Sequence, residues 1–345
     1  MKTEMPKTPF ELGYRMPAEW EKHEATWLSW PKDPLTFPPE IIGRVEETYV
    51  EMIGALQTAE RVELLVDDSE MEERVLSLIP EKKNLTFHRI KTSDVWMRDY
   101  GPIFVKNSQN IAATKWIFNA WGGKYDELLG DNESGEKVCK ETGLQIFEPG
   151  IILEGGSIDV NGKGSCLTTK QCLLNKNRNP SLDSNQIEKY LHDYLGVTNP
   201  IWLERGIEGD DTDGHVDDIA RFVGERKIVC MIEDNVGDEN HRALEENYEI
   251  LKHSLDQDGN PFEVIPIKMP EKVIDSEGRL PASYANFYIA NDAVLVPIFG
   301  VGTDEQALSS ISALFPRRKV VGINCRELVY GLGGIHCVTK QQPSI

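Results

Sequence analysis

Gly155-Gly156-Ser157-Ile158-Asp159-Val160-Asn161-Gly162-Lys163-Gly164-Ser165-Cys166-Leu167-Thr168-Thr169 is the stretch that decides the fold. Asn161-Gly162 lies between two short strand-like runs and is a strong hairpin signal, because both residues accept the positive φ of a tight turn between twisted strands. A helical pattern follows from Ser184 to Leu195. The same order recurs downstream. Val216 to Phe222, a turn at Gly224-Glu225-Arg226-Lys227 and Ile228 to Ile232 precede a helix near Asn240 to Leu255 and a strand from Phe262 to Ile267. Asn286 to Ile289, a turn at Ala290-Asn291-Asp292 and Ala293 to Ile298 precede a helix from Thr303 to Phe315 and a strand from Lys319 to Ile323. More degraded copies begin at Gly101-Pro102-Ile103 and at Ala25-Thr26-Trp27. These five ββαβ-type units predict an α/β chain whose small sheets repeat radially around a central pocket. A doubly wound parallel sheet accounts for the same alternation, but the chain lacks a phosphate-binding glycine loop at a first strand. Prolines and glycines are spread evenly and no linker interrupts the pattern, so residues 1–345 read as one domain.

Composition narrows the partners. Lys+Arg of 37 against Asp+Glu of 57 gives a net charge of −20, which repels nucleic acid and anionic membranes and suits a small cationic ligand. Six scattered cysteines form no CxxC pair, so neither a disulfide framework nor a structural metal is expected. The residues from Met1 to Lys7 form no apolar signal core, and no apolar run is long enough to span a bilayer; a reduced, cytoplasmic setting is expected. In that setting the sequons at Asn84 and Asn132 carry no glycan.

The informative polar residues sit where each unit leads into its first strand. Asp99 precedes Gly101-Pro102, Glu154 precedes Gly155-Gly156, His215 and Asp217 precede Ile219, and Cys337 comes just after the final strand. Radial units would bring these lead-ins together at one end of the axis. Cys337 follows Gly331, Gly333 and Gly334, which let backbone approach a ligand and keep a thiol reachable; it is the candidate nucleophile. His215 is the candidate base, and the aspartates around it are expected to raise its pKa. Asp217, two residues on, should share its side of an extended strand. His336 should point away from Cys337 and serve structure. Asp210, Asp211, Asp213 and Asp218 read as surface carboxylates, and Phe10, Tyr14, Trp20 and Trp121 as core rather than channel. Asp99 is either neutralised by Arg98 or joins a second carboxylate in gripping a planar guanidinium against Trp96.

Trp96-Met97-Arg98-Asp99-Tyr100-Gly101-Pro102, Leu153-Glu154-Gly155-Gly156-Ser157, Gly214-His215-Val216-Asp217-Asp218 and Gly333-Gly334-Ile335-His336-Cys337 together resemble the agmatine deiminase family. That family is related to the bacterial-type peptidylarginine deiminases within the guanidine-modifying superfamily. The resemblance runs from Met16 to Pro343 and implies a five-bladed α/β propeller, the pentein fold. It also implies cofactor-free, metal-free hydrolysis of a guanidinium to a ureido group and ammonia, with agmatine giving N-carbamoylputrescine on a route to putrescine. By match to the family motifs, Cys337 would be the nucleophile, His215 the general acid and base, Asp99 and Asp217 the guanidinium clamps. Glu154 would orient His215 or touch the substrate, and Trp96 and Gly334 would line the binding site. A homodimer is expected on the same ground. Tyr100 stands where many agmatine enzymes carry threonine, and Leu332 interrupts the glycine run. Peptidylarginine or free arginine is therefore the alternative substrate, with amidino transfer and a non-catalytic binding propeller as further alternatives.

Overall fold

In a computed structural model, residues 7–276 and 278–345 are described; Met1 to Pro6, the start of the segment read as free of a signal core, lie outside the described residues. The strands are β1 (His23–Ser29), β2 (Arg61–Val66), β3 (Leu85–Arg89), β4 (Ile103–Lys106), β5 (Ile111–Thr114), β6 (Gln145–Phe147), β7 (Ile158–Val160) and β8 (Ser165–Thr169). They continue as β9 (Asn199–Leu203), β10 (Ala220–Gly224), β11 (Lys227–Ile232), β12 (Glu263–Lys268), β13 (Tyr288–Ile289), β14 (Ala293–Ile298), β15 (Lys319–Asn324) and β16 (Lys340–Pro343). They form five separate sheets in a mixed α/β fold: β4-β5-β6, β7-β8-β9, β10-β11-β12, β13-β14-β15 and a four-stranded β16-β1-β2-β3. In each three-stranded sheet the first two strands pair antiparallel and the third joins parallel after a helix.

The helix Ser184–Leu195 shows how the sequence writes one such crossover. Asp183 accepts from the Gln186 N–H while the Gln186 side chain accepts from the Asp183 N–H, and Gly196 closes the other end at φ 74°. Both ends are thereby satisfied, and Ile187, Leu191 and Leu195, spaced by four, turn inward against the sheet.

Two expectations need correction. The segment Val216 to Phe222 is not one strand: Val216–Asp218 forms a 3₁₀ turn, and the strand starts at Ala220. Nor does Cys337 follow the final strand. A further strand, β16, pairs antiparallel with β1, from His23 opposite Pro343 to Trp27 opposite Lys340. Lys340-Gln341-Gln342-Pro343 has no apolar alternation, and its β-structure is imposed by pairing. The chain's two ends thus share a sheet, and Cys337 occupies the same lead-in position as Asp99, Glu154 and His215.

Where the lead-ins approach one another the interior is charged. Glu19, on the segment before β1, accepts from Arg221 Nη2 at 2.8 Å, from the Ile289 N–H at 2.8 Å and from Arg98 Nη2 at 3.4 Å. Arg221 is wholly buried, is also bonded to Asp159, and donates to the Phe287 carbonyl at 2.7 Å. Buried charges persist only when paired this fully. Among the described residues no helix is long and apolar enough to cross a membrane. Arg221→Ala takes from Asp159 its guanidinium partner and from Glu19 one of two, and is expected to lower stability by ~3–5 kcal/mol in urea unfolding followed by circular dichroism.

Candidate active site

Three short turns supply most of the site. The helical turn Met97–Tyr100 carries Asp99, the 3₁₀ turn Gly155–Ser157 follows Glu154, and the 3₁₀ turn Val216–Asp218 carries Asp217 directly after His215. A fourth, Ile335–Val338, carries Cys337. The groups meet around Gly156. A β-carbon at this position would stand 2.6 Å from His215 Nδ1, 3.0 Å from Asp99 Oδ1 and 3.1 Å from Asp217 Oδ2. Only glycine leaves that space open. His215 and Asp217 therefore do face one centre, but a tight turn rather than an extended strand brings them there.

Asp99 is held by the Gly156 N–H at 2.9 Å and Trp121 Nε1 at 3.0 Å, with His215 Nδ1 3.8 Å away. Arg98 is not its hydrogen-bonding partner; that guanidinium goes to the His336 carbonyl, Gln341, Thr339 and Glu19. Glu154 Oε1 accepts from Arg178 Nε at 2.6 Å within a fully buried pair. Asp217 Oδ2 lies 2.6 Å from His336 Nδ1 and 3.9 Å from Cys337 Sγ. Glu154 Oε2, His215 Nε2 and Asp217 Oδ1 are buried with no hydrogen-bond partner among the described residues. Leaving such atoms unpaired costs ~1–3 kcal/mol each, and their concentration here marks a place kept for chemistry rather than stability.

Electrostatics overturn the expectation for His215. Burial holds its imidazole down at a pKa of about 4 despite Glu154, Asp210 and Asp213, so the ring is neutral at neutral pH. Burial pushes Asp99 up, against the Gly156 and Trp121 bonds, and pushes Asp217 well up, reinforced by Asp99. Burial and the carboxyls of Asp217, Asp218 and Asp99 push the Cys337 thiol well above its ordinary range. A cation arriving among them would favour the ionised forms of Asp99, Asp217 and Cys337 and keep the His215 ring neutral, ready to accept a proton.

The site opens into a cavity of about 540 Å³ whose wall includes Trp96, Asp99, Trp121, Leu332, Gly333 and Cys337. Glu154, His215 and Asp217 are not on that wall, each being at most 1% exposed; His215 and Asp217 reach Asp99 around Gly156. Trp121, read from sequence as core, lines the pocket and bonds Asp99; Phe10 is partly exposed. Gly334 stands behind the wall, where a β-carbon would come within 2.6 Å of Asn286 Oδ1, and Gly333 lies against the Trp96 ring. Asp218 is buried and accepts from Asn286, and Asp211 reaches the cavity, so neither is a plain surface carboxylate. Tyr100 is buried, its hydroxyl donating to the Asp94 carbonyl, and is absent from the wall. A second cavity, about 700 Å³, lies between the hairpin turns at the other ends of β4 and β7, and no Cys or His lines it.

Sequence reasoning missed Asn286. Its Nδ2 lies 3.1 Å from Cys337 Sγ and 2.9 Å from Asp218 Oδ1, and its Oδ1 accepts from the His336 N–H at 2.8 Å. The signal was positional, since Asn286 leads into β13 as Asp99 leads into β4. Glu154, His215 and Cys172 bring three potential ligand atoms within 4.8 Å of one another. Arg178 already balances Glu154, and the set reads as an acid and base pair beside a buried thiol.

Residues 15–343 match the family described as Porphyromonas-type peptidyl-arginine deiminase. An agmatine deiminase of Medicago truncatula is 37% identical, the match covering 98% of each chain. An agmatine deiminase structure of Enterococcus faecalis superposes with a TM-score of 0.92 at 33% identity over 99% of both chains. A cysteine-to-serine variant of the C. jejuni agmatine deiminase with substrate bound gives 0.87 at 32% identity over 96% of both.

With the thiol pushed up by three carboxyls, iodoacetamide alkylation of Cys337 in the ligand-free protein is expected to rise about tenfold per pH unit from pH 7 to 9. Peptide mass spectrometry would follow the rate, and a plateau below pH 8 would contradict the electrostatics described.

Proposed function

The chain belongs to the Porphyromonas-type peptidyl-arginine deiminase family, and from that premise we propose that it hydrolyses agmatine to N-carbamoylputrescine and ammonia. The carrying observation is the charge of the cavity. Asp33, Asp94, Asp99, Glu127, Glu208, Asp211 and Asp275 line it, and Arg279 is the one cationic side chain on its described wall. That guanidinium is engaged by Asp238 at 2.6 Å and Glu239 at 3.0 Å. Agmatine presents a guanidinium to the floor and an ammonium to this acidic mouth. Arginine would present an α-carboxylate to the same field, with no free cation to receive it. Tyr100 does not bear on the choice, because it never reaches the wall.

The reading assigns one task to each residue. Asp99 and Asp217 grip the guanidinium by charge-assisted hydrogen bonds, with Trp96 against its face. The bound cation offsets the carboxylates that hold the Cys337 proton, so thiolate forms only when substrate is present. The sulfur adds to the guanidinium carbon. His215, neutral at rest with Glu154 behind it, takes up the proton that Cys337 releases and passes it to the departing nitrogen, and ammonia leaves an amidino thioether on Cys337. The now neutral imidazole takes a proton from water, which adds to the same carbon; the thiol departs and the ureido product is released. Architecture supports this reading too. The five sheets are proposed to be the blades of one propeller whose lead-in turns converge on the axis.

Ammonia release from agmatine, free arginine and a blocked arginine peptide, measured side by side, tests the reading; turnover is expected for agmatine, at least about 100-fold above the others. Preference for either arginine compound would move the substrate assignment. Cys337→Ala should abolish turnover. Gly156→Ala pushes a methyl among His215, Asp99 and Asp217, and is expected to cut kcat/KM by at least about 100-fold with cooperative unfolding retained.

A further inference from the structure

His336 is bracketed by two carboxylates. Its Nδ1 lies 2.6 Å from Asp217 Oδ2 and its Nε2 lies 2.8 Å from Glu19 Oε2, all three groups buried. Each of these contacts joins a ring nitrogen to a carboxylate oxygen, so each needs a proton. A neutral imidazole supplies one. The second proton sits either on His336, making an imidazolium between two carboxylates, or on Asp217 or Glu19.

The surroundings decide between the carboxyls. Glu19 also accepts from Arg221, Arg98 and the Ile289 N–H, and these charges, with His336, hold it well below the usual carboxylate range despite burial. Asp217 is acted on by the carboxyls of Asp99, Asp218 and Asp210 and lies beside the Cys337 thiol, and its Oδ1 has no hydrogen-bond partner among the described residues. Burial, with Arg221 and Arg98, presses His336 toward neutrality, Arg98 also donating to the His336 carbonyl; the two arginines favour ionised Asp217 as well, but burial and Asp99 outweigh them, and Lys340 adds a cation near Asp99 and Asp217. The stored proton therefore lies along the 2.6 Å contact between Asp217 and His336.

We infer that Glu19, His336 and Asp217 form an internal proton store that arms the guanidinium clamp. In the empty site the proton rests on Asp217, and His336 is neutral and donates to Glu19. A guanidinium arriving beside Asp217 repels that proton along the contact onto Nδ1. Asp217 becomes a carboxylate facing the cation, and Glu19 carries the imidazolium. One O–H bond breaks and one N–H bond forms; nothing is exchanged with solvent. Glu19 and His336 are positioning residues here, acting through Asp217. The inference rests on the proposed guanidinium site.

The test uses agmatine binding by calorimetry from pH 6 to 9 in Cys337→Ala protein, with and without His336→Gln. Glutamine bridges the same gap but cannot take up the proton, so Asp217 must then release it to solvent. Affinity in the double variant is expected to rise with pH more steeply than in the single variant, by up to about tenfold per pH unit. Glu19→Gln, which removes the counter-charge, should steepen the dependence likewise. Parallel lines differing by a constant factor would show a purely structural histidine and overturn the store. Absence of agmatine binding to Cys337→Ala would overturn the site reading itself and the store with it. Should His336→Gln fail to fold, ¹⁵N resonances of the His336 ring in Cys337→Ala decide. Agmatine must convert the ring from one protonated nitrogen to two, and an unchanged ring refutes the inference.

Discussion

Glu19 is the carboxylate on which the interior depends. Its two oxygens hold Arg221 at the start of β10, the Ile289 N–H in β13, Arg98 ahead of β4 and His336 ahead of β16. The remaining sheet is tied in by Asp159 of β7, which bonds Arg221 and the Phe222 N–H. Apolar packing does cross between sheets, one buried cluster running from Trp27 of β1 through Leu167 of β8 and Phe222 of β10 to Leu295 of β14, but non-directional contacts do not orient the polar groups of the site. A buried charge network is orientation-specific, because each lost partner leaves an uncompensated charge, so it fixes how the lead-in turns meet as well as whether they meet.

That network also sets the resting chemistry. Arg98 and Arg221 lie behind the site, out of hydrogen-bonding reach of Asp99 and Asp217, while Asp99, Asp217 and Asp218 gather around one thiol. The empty pocket is consequently over-supplied with carboxyl groups, burial opposes their ionisation, and the nucleophile stays protonated. A guanidinium supplies what the pocket lacks. Its binding energy is partly spent in favouring charge on groups whose ionisation burial opposes, which ties activation to occupancy and leaves an unoccupied site with a protonated cysteine.

Much of this was legible in the chain. Asn161-Gly162 and its counterparts located the hairpins, and the helix read from Ser184 to Leu195 stands at those bounds. Asp99, Glu154, His215 and Asp217 were found by their positions before strands and Cys337 by the glycines ahead of it, and the structure brings all five to one place. The failures share a cause. The neutrality of His215, the burial of Asp218 and the place of Trp121 on the cavity wall depend on segments distant in the chain, as does the choice between the two readings left open for Arg98, and local sequence records only neighbours along the chain. β16 escaped notice for the same reason, since its strand character comes from β1 more than 300 residues earlier.

Recognising β16 as the opening strand of the last sheet makes the site regular. Each sheet then contributes its lead-in: Asp99, Glu154, His215 with Asp217, Asn286 and Cys337 precede β4, β7, β10, β13 and β16 in turn. An open sheet places its loops along an edge and gathers a site from a few of them, whereas converging lead-ins give every unit one position at the centre. The repeated part is the backbone turn, and the side chain on it is free to differ. Charge clamp, orienting carboxylate, base, thiol-contacting amide and nucleophile can thus be distributed one turn at a time, with Glu19 entering from the segment before β1 to fix their relative positions.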